Sequence, residues 1–275
     1  MCSLAYYNGR ITDCSQVRIG LNDRAVFFGD GVYDVMLAGK VEIYQQNLHL
    51  SRLKRNAARI GLPYPEELDK IIGRMVRLAG LEACAVYVQL SGSSDVRVHA
   101  PRKDQAVNLL VTVSEIEISE YSNPINAITT NDIRYSMCDV KTLNLLPSVL
   151  ASLSARECSC DEALFVRDGI VTEGAKSNLF IVKSGIIYTH PIGNTILPGI
   201  TRENVIRLAN QRSIECCEAL FGTNELFSAD EVFITSTTKL LRQVKKIDNI
   251  EIGNGDFKVA STLGSLLYNE VKCSI

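Results

Sequence analysis

The most informative stretch of the chain is residues 134–178, RYSMCDVKTLNLLPSVLASLSARECSCDEALFVRDGIVTEGAKSN. Residues 132–135 are typical of a strand end and residues 143–157 carry apolar residues at helical spacing, so Lys141 lies at the junction of two predicted elements. At such a junction the ε-amine can face a cofactor, where desolvation or a neighbouring cation favours the neutral amine, a nucleophile and a base. The alternative is a solvated surface lysine, since most lysines are exposed.

Length and composition are those of an ordinary globular protein. The chain has 275 residues, 46% hydrophobic and 22% charged, with a formal net charge of -2. These values allow one large domain or two modest ones and provide no basic field for nucleic acid. No apolar run reaches the roughly 18 residues of a membrane-spanning helix, and residues 1–10 lack the features of a signal peptide. We therefore expect a cytoplasmic protein that binds neither nucleic acid nor membrane.

The nine cysteines follow no metal-binding or disulfide pattern. Their number is odd and no two are spaced C-x-x-C, which argues against a zinc ribbon and against a disulfide framework. Several lie in apolar segments, as Cys84 does, where cysteine behaves as a small hydrophobe. Cys138 is close to Lys141, but no histidine is near it in sequence to support a thiolate. We expect reduced, structural thiols and no metal site.

The first part of the chain mixes predicted strands and helices. Asn8-Gly9 accepts the positive φ angles of a tight turn and predicts a hairpin. Further strands are predicted at 32–37, 41–44, 83–90, 106–113 and 125–129, and helices at 48–60 and 66–78. Tyr33 fits either a core aromatic or a site residue, and Arg52 lies inside the first of these helices.

A predicted loop at residues 91–101 contains Arg97 and His99, two positions apart. An arginine and a histidine so placed can converge on a carboxylate, the arginine through paired hydrogen bonds and the histidine as an added donor. The alternative is a solvated turn. The polar span at 117–124 follows and predicts a boundary between a domain of residues 1–118 and one of residues 119–275.

Two places in the second part are candidates for binding a phosphate. Thr201 precedes a predicted helix at 202–211, whose free N–H groups and dipole favour an anion, although simple capping by Thr201 is the alternative. Residues 235–238 are four consecutive hydroxyl side chains at a strand end, where a backbone nest can hold a phosphate. Other predicted elements are strands at 162–166, 170–172, 179–182, 186–189, 231–234 and within 240–252, and a helix at 257–272.

Taken together, seven motifs resemble those of the fold-type IV pyridoxal-phosphate enzymes, also called class IV aminotransferases, and most closely the D-amino-acid aminotransferases. They are DRAVFFGDGVYDV, HLSRL, VRVHAP, DIRYSMCDVKTLNLLPSVLA, EALFVRDGIVTEGAKSNLF, LPGITREN and VFITSTT, in the family's order and spacing. The resemblance implies an α+β fold with a smaller N-terminal α/β domain and a larger C-terminal pseudo-barrel domain that binds the cofactor. It also implies pyridoxal 5'-phosphate as cofactor and transamination as activity.

The resemblance also implies a role for each site residue. Lys141 would be the catalytic Schiff-base lysine and Glu173 the partner of the cofactor's pyridine nitrogen, which keeps the ring an electron sink. The phosphate would be held by Arg52, Ile200, Thr201, Ser236 and Thr237. The substrate would contact Tyr33, Val35, Arg97, His99 and Thr238.

In that family the arginine and histidine of the loop come from the neighbouring subunit, so a homodimer is implied. The expected reaction is transamination between a D-amino acid of the D-alanine type and a 2-oxo acid such as 2-oxoglutarate.

This chain departs from its relatives at Asp34, Ser91 and Lys176. Alternatives on the same scaffold are an (R)-selective amine transaminase, a branched-chain aminotransferase and an aminodeoxychorismate lyase. A cofactor-binding protein without turnover and a purely structural domain are the alternatives of other classes.

Overall fold

The computed structural model describes residues 2–93, 96–101, 106–119 and 123–275. The chain forms two compact units. Unit 1 contains residues 1–118, 140–144 and 271–275, and unit 2 contains residues 119–139 and 145–270. This grouping differs from the predicted domains in that two short segments, 140–144 and 271–275, belong to unit 1.

Unit 1 is built on a five-stranded antiparallel sheet. Its strands are β1 (Cys2–Tyr7), β2 (Arg10–Thr12), β3 (Gly31–Ala38), β4 (Cys84–Gly92) and β5 (Val107–Glu115), in the order β2-β1-β5-β4-β3. Its helices are α1 (Arg24–Phe28), α2 (Gln46–Arg59) and α3 (Leu68–Ala79). The predicted Asn8-Gly9 hairpin is present, with φ angles of 45° and 92° at the two turn residues.

The core of unit 1 lies between its sheet and its helices. Helix α2 packs on β3, and α3 packs on β1 and β5. Apolar side chains such as Met36, Leu53, Ile72 and Met75 are fully buried there. Each such side chain contributes about 1.5–3 kcal/mol of transfer free energy to folding.

Unit 2 is built on a nine-stranded mixed sheet. Its strands are β6 (Ile125–Asn131), β7 (Glu162–Arg167), β8 (Ile170–Gly174), β9 (Asn178–Lys183), β10 (Ile186–Thr189), β11 (Cys216–Glu218), β12 (Glu231–Ser236), β13 (Leu240–Ile247) and β14 (Ile250–Glu251). The order is β11-β10-β9-β12-β13-β6-β7-β8, and β14 pairs with β13. Its helices are α4 (Leu146–Glu157), α5 (Ile200–Gln211), α6 (Thr223–Phe227) and most of α7 (Lys258–Ser274).

Cross-strand aromatic packing stabilises the centre of this sheet. Phe180 of β9 lies opposite Phe233 of β12, and the two rings stack with their centroids 4.8 Å apart. Both side chains are fully buried. The predicted α+β class is confirmed by the two sheets and their helices.

Several predicted elements differ from the structure. Residues 41–44 do not form a strand, and Ile43 makes only an isolated bridge with Ala38. Helix α1 was not predicted, because its glycine-rich end suggests a loop; Gly29 ends the helix with φ 60°. Helix α4 begins at Leu146, after the predicted residue 143, and has Pro147 in its first turn.

The prediction that all cysteines are reduced is wrong at Cys14, which is disulfide-bonded. Sequence spacing does not reveal which thiols come together in space. Seven cysteines in the described part of the chain are free thiols, at positions 84, 138, 158, 160, 216, 217 and 273.

Within the described ranges, the helices lack the combined length and hydropathy of a bilayer-spanning segment.

Candidate active site

Lys141 lies in a short extended segment that pairs with the start of β3 in unit 1. Its carbonyl accepts a hydrogen bond from Tyr33 N at 3.0 Å, and Leu143 N donates to Gly31 O at 3.0 Å. Any larger residue at Gly31 would collide with Leu143, since a Cβ there would lie 2.5 Å from Leu143 Cδ1. The backbone around Lys141 is therefore fixed by β3.

The Lys141 amine lies over an aromatic ring. Its Nζ is 4.4 Å from the ring centroid of Tyr33, a cation–π distance. Tyr33 also stacks on Tyr87 of β4, with ring centroids 5.4 Å apart. Because side chains alternate along a strand, Tyr33 and Val35 share one half-buried face of β3, and Asp34 lies on the other.

Asp34 forms a buried charged cluster with two residues of α2. Arg52 donates from Nε to Asp34 Oδ2 at 2.8 Å and from Nη2 to Oδ1 at 2.7 Å. His49 Nδ1 lies 2.7 Å from Asp34 Oδ1, and because a carboxylate only accepts, this nitrogen is the donor. Asp34, His49 and Arg52 are 0%, 2% and 4% exposed. The cluster fixes the guanidinium of Arg52.

The charges of this cluster determine its protonation. Burial favours a raised pKa at Asp34, but the charge of Arg52 and the hydrogen bonds from His49 and Arg52 outweigh burial and lower that pKa well below its usual range. Burial lowers the pKa of His49, although the hydrogen bond to Asp34 opposes it. At neutral pH the cluster therefore consists of a carboxylate, a guanidinium and a neutral imidazole.

Arg97 and His99 lie on the exposed loop at residues 96–101, next to α1. The guanidinium carbon of Arg97 is 5.0 Å from the ring centroid of Phe28 and 5.6 Å from that of Phe27. The ring of His99 is 5.3 Å from that of Phe28. The two predicted carboxylate ligands thus share one aromatic support in unit 1.

Glu173 is the centre of a second cluster, in unit 2. It lies on β8 and is 5% exposed. Its Oε2 accepts hydrogen bonds from Asn178 Nδ2 at 3.0 Å and from Leu197 N at 3.1 Å, and its Oε1 forms a short ion pair with Arg134 Nη1. A carboxylate surrounded by donors is suited to interact with a protonated ring nitrogen.

Arg134 is itself held by a buried carboxylate. It donates from Nε to Asp132 Oδ1 at 2.8 Å and from Nη2 to Asp132 Oδ2 at 2.9 Å. Arg167 also approaches Asp132, with 3.0 Å between Nη2 and Oδ2. The face of the Arg134 guanidinium lies 4.3 Å from the ring centroid of Phe165. The orientation of Glu173 thus depends on a chain of ion pairs.

These ion pairs shift the pKa values of Asp132 and Arg134. Burial favours a raised pKa at Asp132, but the hydrogen bonds and charge of Arg134 outweigh it and lower that pKa. Burial disfavours the charged form of Arg134, yet Asp132 and Glu173 outweigh it and raise its pKa. Burial raises the pKa of the Cys138 thiol. A reactive thiolate at Cys138 is therefore not supported.

Arg52 lies in unit 1, and the other four residues predicted to hold a phosphate form two groups in unit 2. Ile200 and Thr201 are in the first turn of α5, which begins after Gly199 with no side-chain cap. Thr201 is therefore inside the helix, and the alternative that it is the cap is wrong. Ser236 ends β12, and Thr237 and Thr238 continue into the turn before β13; all three are half-buried. The uncapped helix start suits an anion.

Sequence reasoning assigned no role to several residues of these clusters. In unit 1 they are Asp34 and His49, and in unit 2 Asp132, Arg134 and Asn178. For the cluster of unit 1 a signal was available. A carboxylate inside the apolar strand at 32–37 needs a cation, and His49 and Arg52 are one helical turn apart.

Comparison with known proteins gives consistent results. Residues 31–247 match the family described as Amino-transferase class IV. The chain is 38% identical over 259 residues to a D-alanine aminotransferase of Bacillus licheniformis, covering 90% of both. It is 34% identical over 256 residues to a D-alanine aminotransferase of Staphylococcus aureus (strain N315), covering 91% of both.

Among solved structures, a branched-chain aminotransferase from the thermophilic archaeon Thermoproteus uzoniensis, crystallised with norvaline, matches with a TM-score of 0.88 at 26% identity, covering 98% of this chain and 96% of the other. This match confirms the predicted fold type IV. The family match extends over most of the chain and over the segments that carry Lys141 and Glu173. The chain therefore belongs to the class IV aminotransferase family.

Proposed function

We propose that this chain transfers an amino group between a D-amino acid of the D-alanine type and a 2-oxo acid such as 2-oxoglutarate. The observation that carries the proposal is the similarity to two D-alanine aminotransferases over nine-tenths of the chain. The loop with Arg97 and His99 supports it, because two donor side chains on one loop suit an α-carboxylate.

Class IV aminotransferases use pyridoxal 5'-phosphate, an electron sink for the negative charge that develops at the substrate α carbon. The residues of unit 2 fit this cofactor. The start of α5 has no side-chain cap, and its N–H groups at Ile200 and Thr201 suit a phosphate. The hydroxyls of Ser236 and Thr237 would add donors, and the carboxylate of Glu173 would pair with the ring nitrogen.

Arg52 is the further proposed phosphate ligand. Its guanidinium is oriented by two hydrogen bonds to Asp34. The pair also fixes the plane of the guanidinium, which reduces the entropy that Arg52 would lose when it binds an anion. Asp34 thus has a positioning role in this proposal.

Lys141 is the proposed catalytic residue. It is the lysine to which the cofactor would be attached, and its released Nζ would take the proton from the substrate α carbon and hold it. The pairing of the Lys141 segment with β3 limits its backbone motion, and the Tyr33 ring centroid lies 4.4 Å from Nζ. A short reach from a fixed backbone favours proton transfer.

The substrate would be oriented by its carboxylate. Arg97 and His99, contributed by the neighbouring subunit of the proposed dimer, would donate to it together with the Tyr33 hydroxyl, and Val35 and Thr238 would border the side-chain space. The position at which the carboxylate is held would then decide which enantiomer presents its α hydrogen to Lys141.

We further propose a homodimer with a cytoplasmic location. An exposed apolar face on α4 supports the dimer: Leu146, Val149, Leu150 and Leu153 are 67%, 50%, 46% and 38% exposed. The seven free thiols in the described part of the chain favour a reducing compartment, whereas the disulfide-bonded Cys14 is a feature of an oxidising one. Fractionation of the source cells would test the location.

A substrate screen tests the proposed activity. The protein, loaded with pyridoxal 5'-phosphate, is assayed with 2-oxoglutarate and with D-alanine, L-leucine or an (R)-amine as amino donor. We expect kcat/KM for D-alanine to exceed that for L-leucine by at least roughly tenfold, about 1.4 kcal/mol of transition-state discrimination. Preference for L-leucine would contradict the proposal and indicate branched-chain transamination. Pyruvate release from aminodeoxychorismate would indicate a lyase.

A further inference from the structure

Arg24, a buried residue of α1, binds the backbone of the loop that carries Arg97 and His99. It is 4% exposed. Its Nη1 donates to Val98 O at 2.6 Å, and its Nη2 donates to His99 O at 3.0 Å. One accepting carbonyl belongs to the residue after Arg97, and the other belongs to His99 itself.

Two further contacts, with Asp30 and with Phe28, orient the guanidinium of Arg24. Nε donates to Asp30 Oδ2 at 2.6 Å, and the guanidinium carbon lies 4.7 Å from the ring centroid of Phe28. All three nitrogens thus have an acceptor, so the planar fork of arginine reaches three partners at once. A lysine has one nitrogen and cannot contact three acceptors in this arrangement.

Packing alone does not fix the loop against α1. A cleft of about 250 Å³ opens here, lined by residues that include Phe27, Phe28 and Arg97. The aliphatic side chains at Val96 and Val98 are 64% and 39% exposed, so they bury little surface. The hydrogen bonds from Arg24 therefore attach the loop backbone to α1, in addition to the contacts of the Arg97 and His99 side chains with Phe28.

Helix α1 is a fixed support for these contacts. Asp23 caps it by accepting from Ala25 N at 2.9 Å, and the other oxygen of Asp23 accepts from Ser91 Oγ at 3.0 Å. Asp23 also pairs with Ser93 in an isolated bridge. Residues 23 and 24 thus bind the chain on both sides of the segment between Ser93 and Val98.

We propose that Arg24 is a positioning residue that determines how Arg97 and His99 are presented to the substrate carboxylate. The proposal rests on the proposed function, because it assigns those two residues to the substrate. Loss of the contacts to Val98 and His99 leaves the chemistry at Lys141 intact and weakens carboxylate binding.

Arg24→Lys and Arg24→Met test the proposal through steady-state kinetics. We expect the KM for D-alanine and for 2-oxoglutarate to rise roughly tenfold, the effect of losing one or two charge-assisted hydrogen bonds, with little change in kcat. Arg18 is the matched control: its contacts are to the carbonyls of Ser15 and Val17, and it is exposed, so Arg18→Lys and Arg18→Met leave both constants unchanged.

Trypsin cleavage after Arg97 gives a second readout that needs neither cofactor nor activity. We expect both Arg24 variants to be cut there faster than the wild-type protein and the Arg18 variants, because cleavage requires local opening of the loop. Arg24→Lys can keep an ion pair with Asp30 and is therefore the variant that folds if Arg24→Met does not.

Three results would overturn the proposal: unchanged KM values in folded Arg24→Lys, an unchanged rate of cleavage after Arg97, or equal losses in kcat for all substrates accompanied by a lower melting temperature. The last would indicate a merely structural role. If the wild-type protein does not transaminate, the proposed function fails, and the trypsin rates alone then decide whether Arg24 holds the loop.

Discussion

Glu173 shows how unit 2 holds a buried carboxylate in one orientation. Its donors come from three places in the chain: Arg134 after β6, Asn178 at the start of β9, and the Leu197 amide before α5. Arg134 is in turn paired with Asp132, which has no exposed side-chain surface. Removal of one member therefore leaves another charge buried without its main partner, which is costly.

We predict that Arg134→Met destabilises the protein by about 3 kcal/mol, because Asp132 and Glu173 both lose a buried cationic partner. Urea unfolding without cofactor measures the loss. Arg207→Met is the control: its ion pair with Glu270 is 40% and 30% exposed, and we expect a loss below about 1 kcal/mol. Equal losses in the two variants would show that the Arg134 network adds nothing specific.

A second residue-scale prediction concerns the pH dependence of stability. The pKa of His49 is lowered in the folded state, chiefly by burial, among the charges of Asp34, Arg52 and Lys141. The unfolded chain therefore binds more protons just below the ordinary histidine pKa, and stability falls as the pH is lowered from about 7.5 to about 5.5.

His49→Gln should reduce this slope, measured as the free energy of unfolding at the two pH values. His190 has a pKa lowered by burial and contributes in the same direction, so the double variant with His190→Gln should have the flattest profile. An unchanged slope in His49→Gln and in the single variant His190→Gln would contradict the assignment. Asp34 does not contribute in this window, because its lowered pKa puts its titration at more acidic pH.

Buried charged and polar residues are the ones whose placement the sequence did not predict. In the predicted helix at 48–60, the apolar residues Leu53 and Ala57 are buried, but Leu48 is 43% exposed. The buried face also carries His49, Arg52 and Asn56. Periodicity counts only apolar side chains, so it misplaces a helix face that is buried through ion pairs. Lys141 and Glu173 could be proposed because whole motifs surround them.

At the scale of elements, packing at the start of α5 requires a glycine at position 199. Gly199 has φ -72°, which any residue can adopt, so its backbone does not require glycine. A Cβ there would overlap Asn178 Oδ1, and Asn178 donates to both Glu173 and Leu197. A side chain at 199 would therefore shift a partner of Glu173.

We predict that Gly199→Ala weakens binding of pyridoxal 5'-phosphate roughly tenfold, through displacement of Asn178 and crowding of the helix start. A cofactor titration followed by protein fluorescence measures the dissociation constant. Gly193→Ala is the control, because a Cβ at Gly193 meets no atom within 4 Å in the described part of the chain. Equal affinities in the two variants would argue against a phosphate at the start of α5.

Elements with strong periodicity or a turn signal were predicted well. Short elements, and segments whose conformation depends on tertiary contacts, were not. The β1–β2 hairpin, α2 and α5 followed local signals. The five-residue helices α1 and α6 have too few residues for a periodic pattern, and the Lys141 segment takes its extended form from pairing with β3.

At the scale of the whole molecule, sheet order is what the sequence could not predict. Strand β6 lies between β13 and β7 and is parallel to both, although roughly 110 residues separate it from β13 in the chain. Neither the order nor the direction follows from local patterns. The family resemblance predicted the class IV architecture and, with it, the cofactor.

The proposed homodimer gives a prediction at this scale. The wild-type protein should be a dimer by light scattering after size exclusion, and Leu150→Lys should shift it toward monomer, because a charge would enter an apolar interface. Leu78→Lys is the control, since Leu78 is 57% exposed on α3. A monomeric wild-type protein would contradict the homodimer, and an unaffected Leu150→Lys dimer would place the interface elsewhere.

We propose above that Lys141 carries the cofactor and transfers the proton. Borohydride treatment of the loaded protein, followed by peptide mass spectrometry, tests it most directly. We predict that the phosphopyridoxyl label is on Lys141, and that Lys141→Ala loses both this label and D-alanine transamination. A label on another lysine, such as Lys176 or Lys239, or wild-type turnover by Lys141→Ala, would contradict the claim.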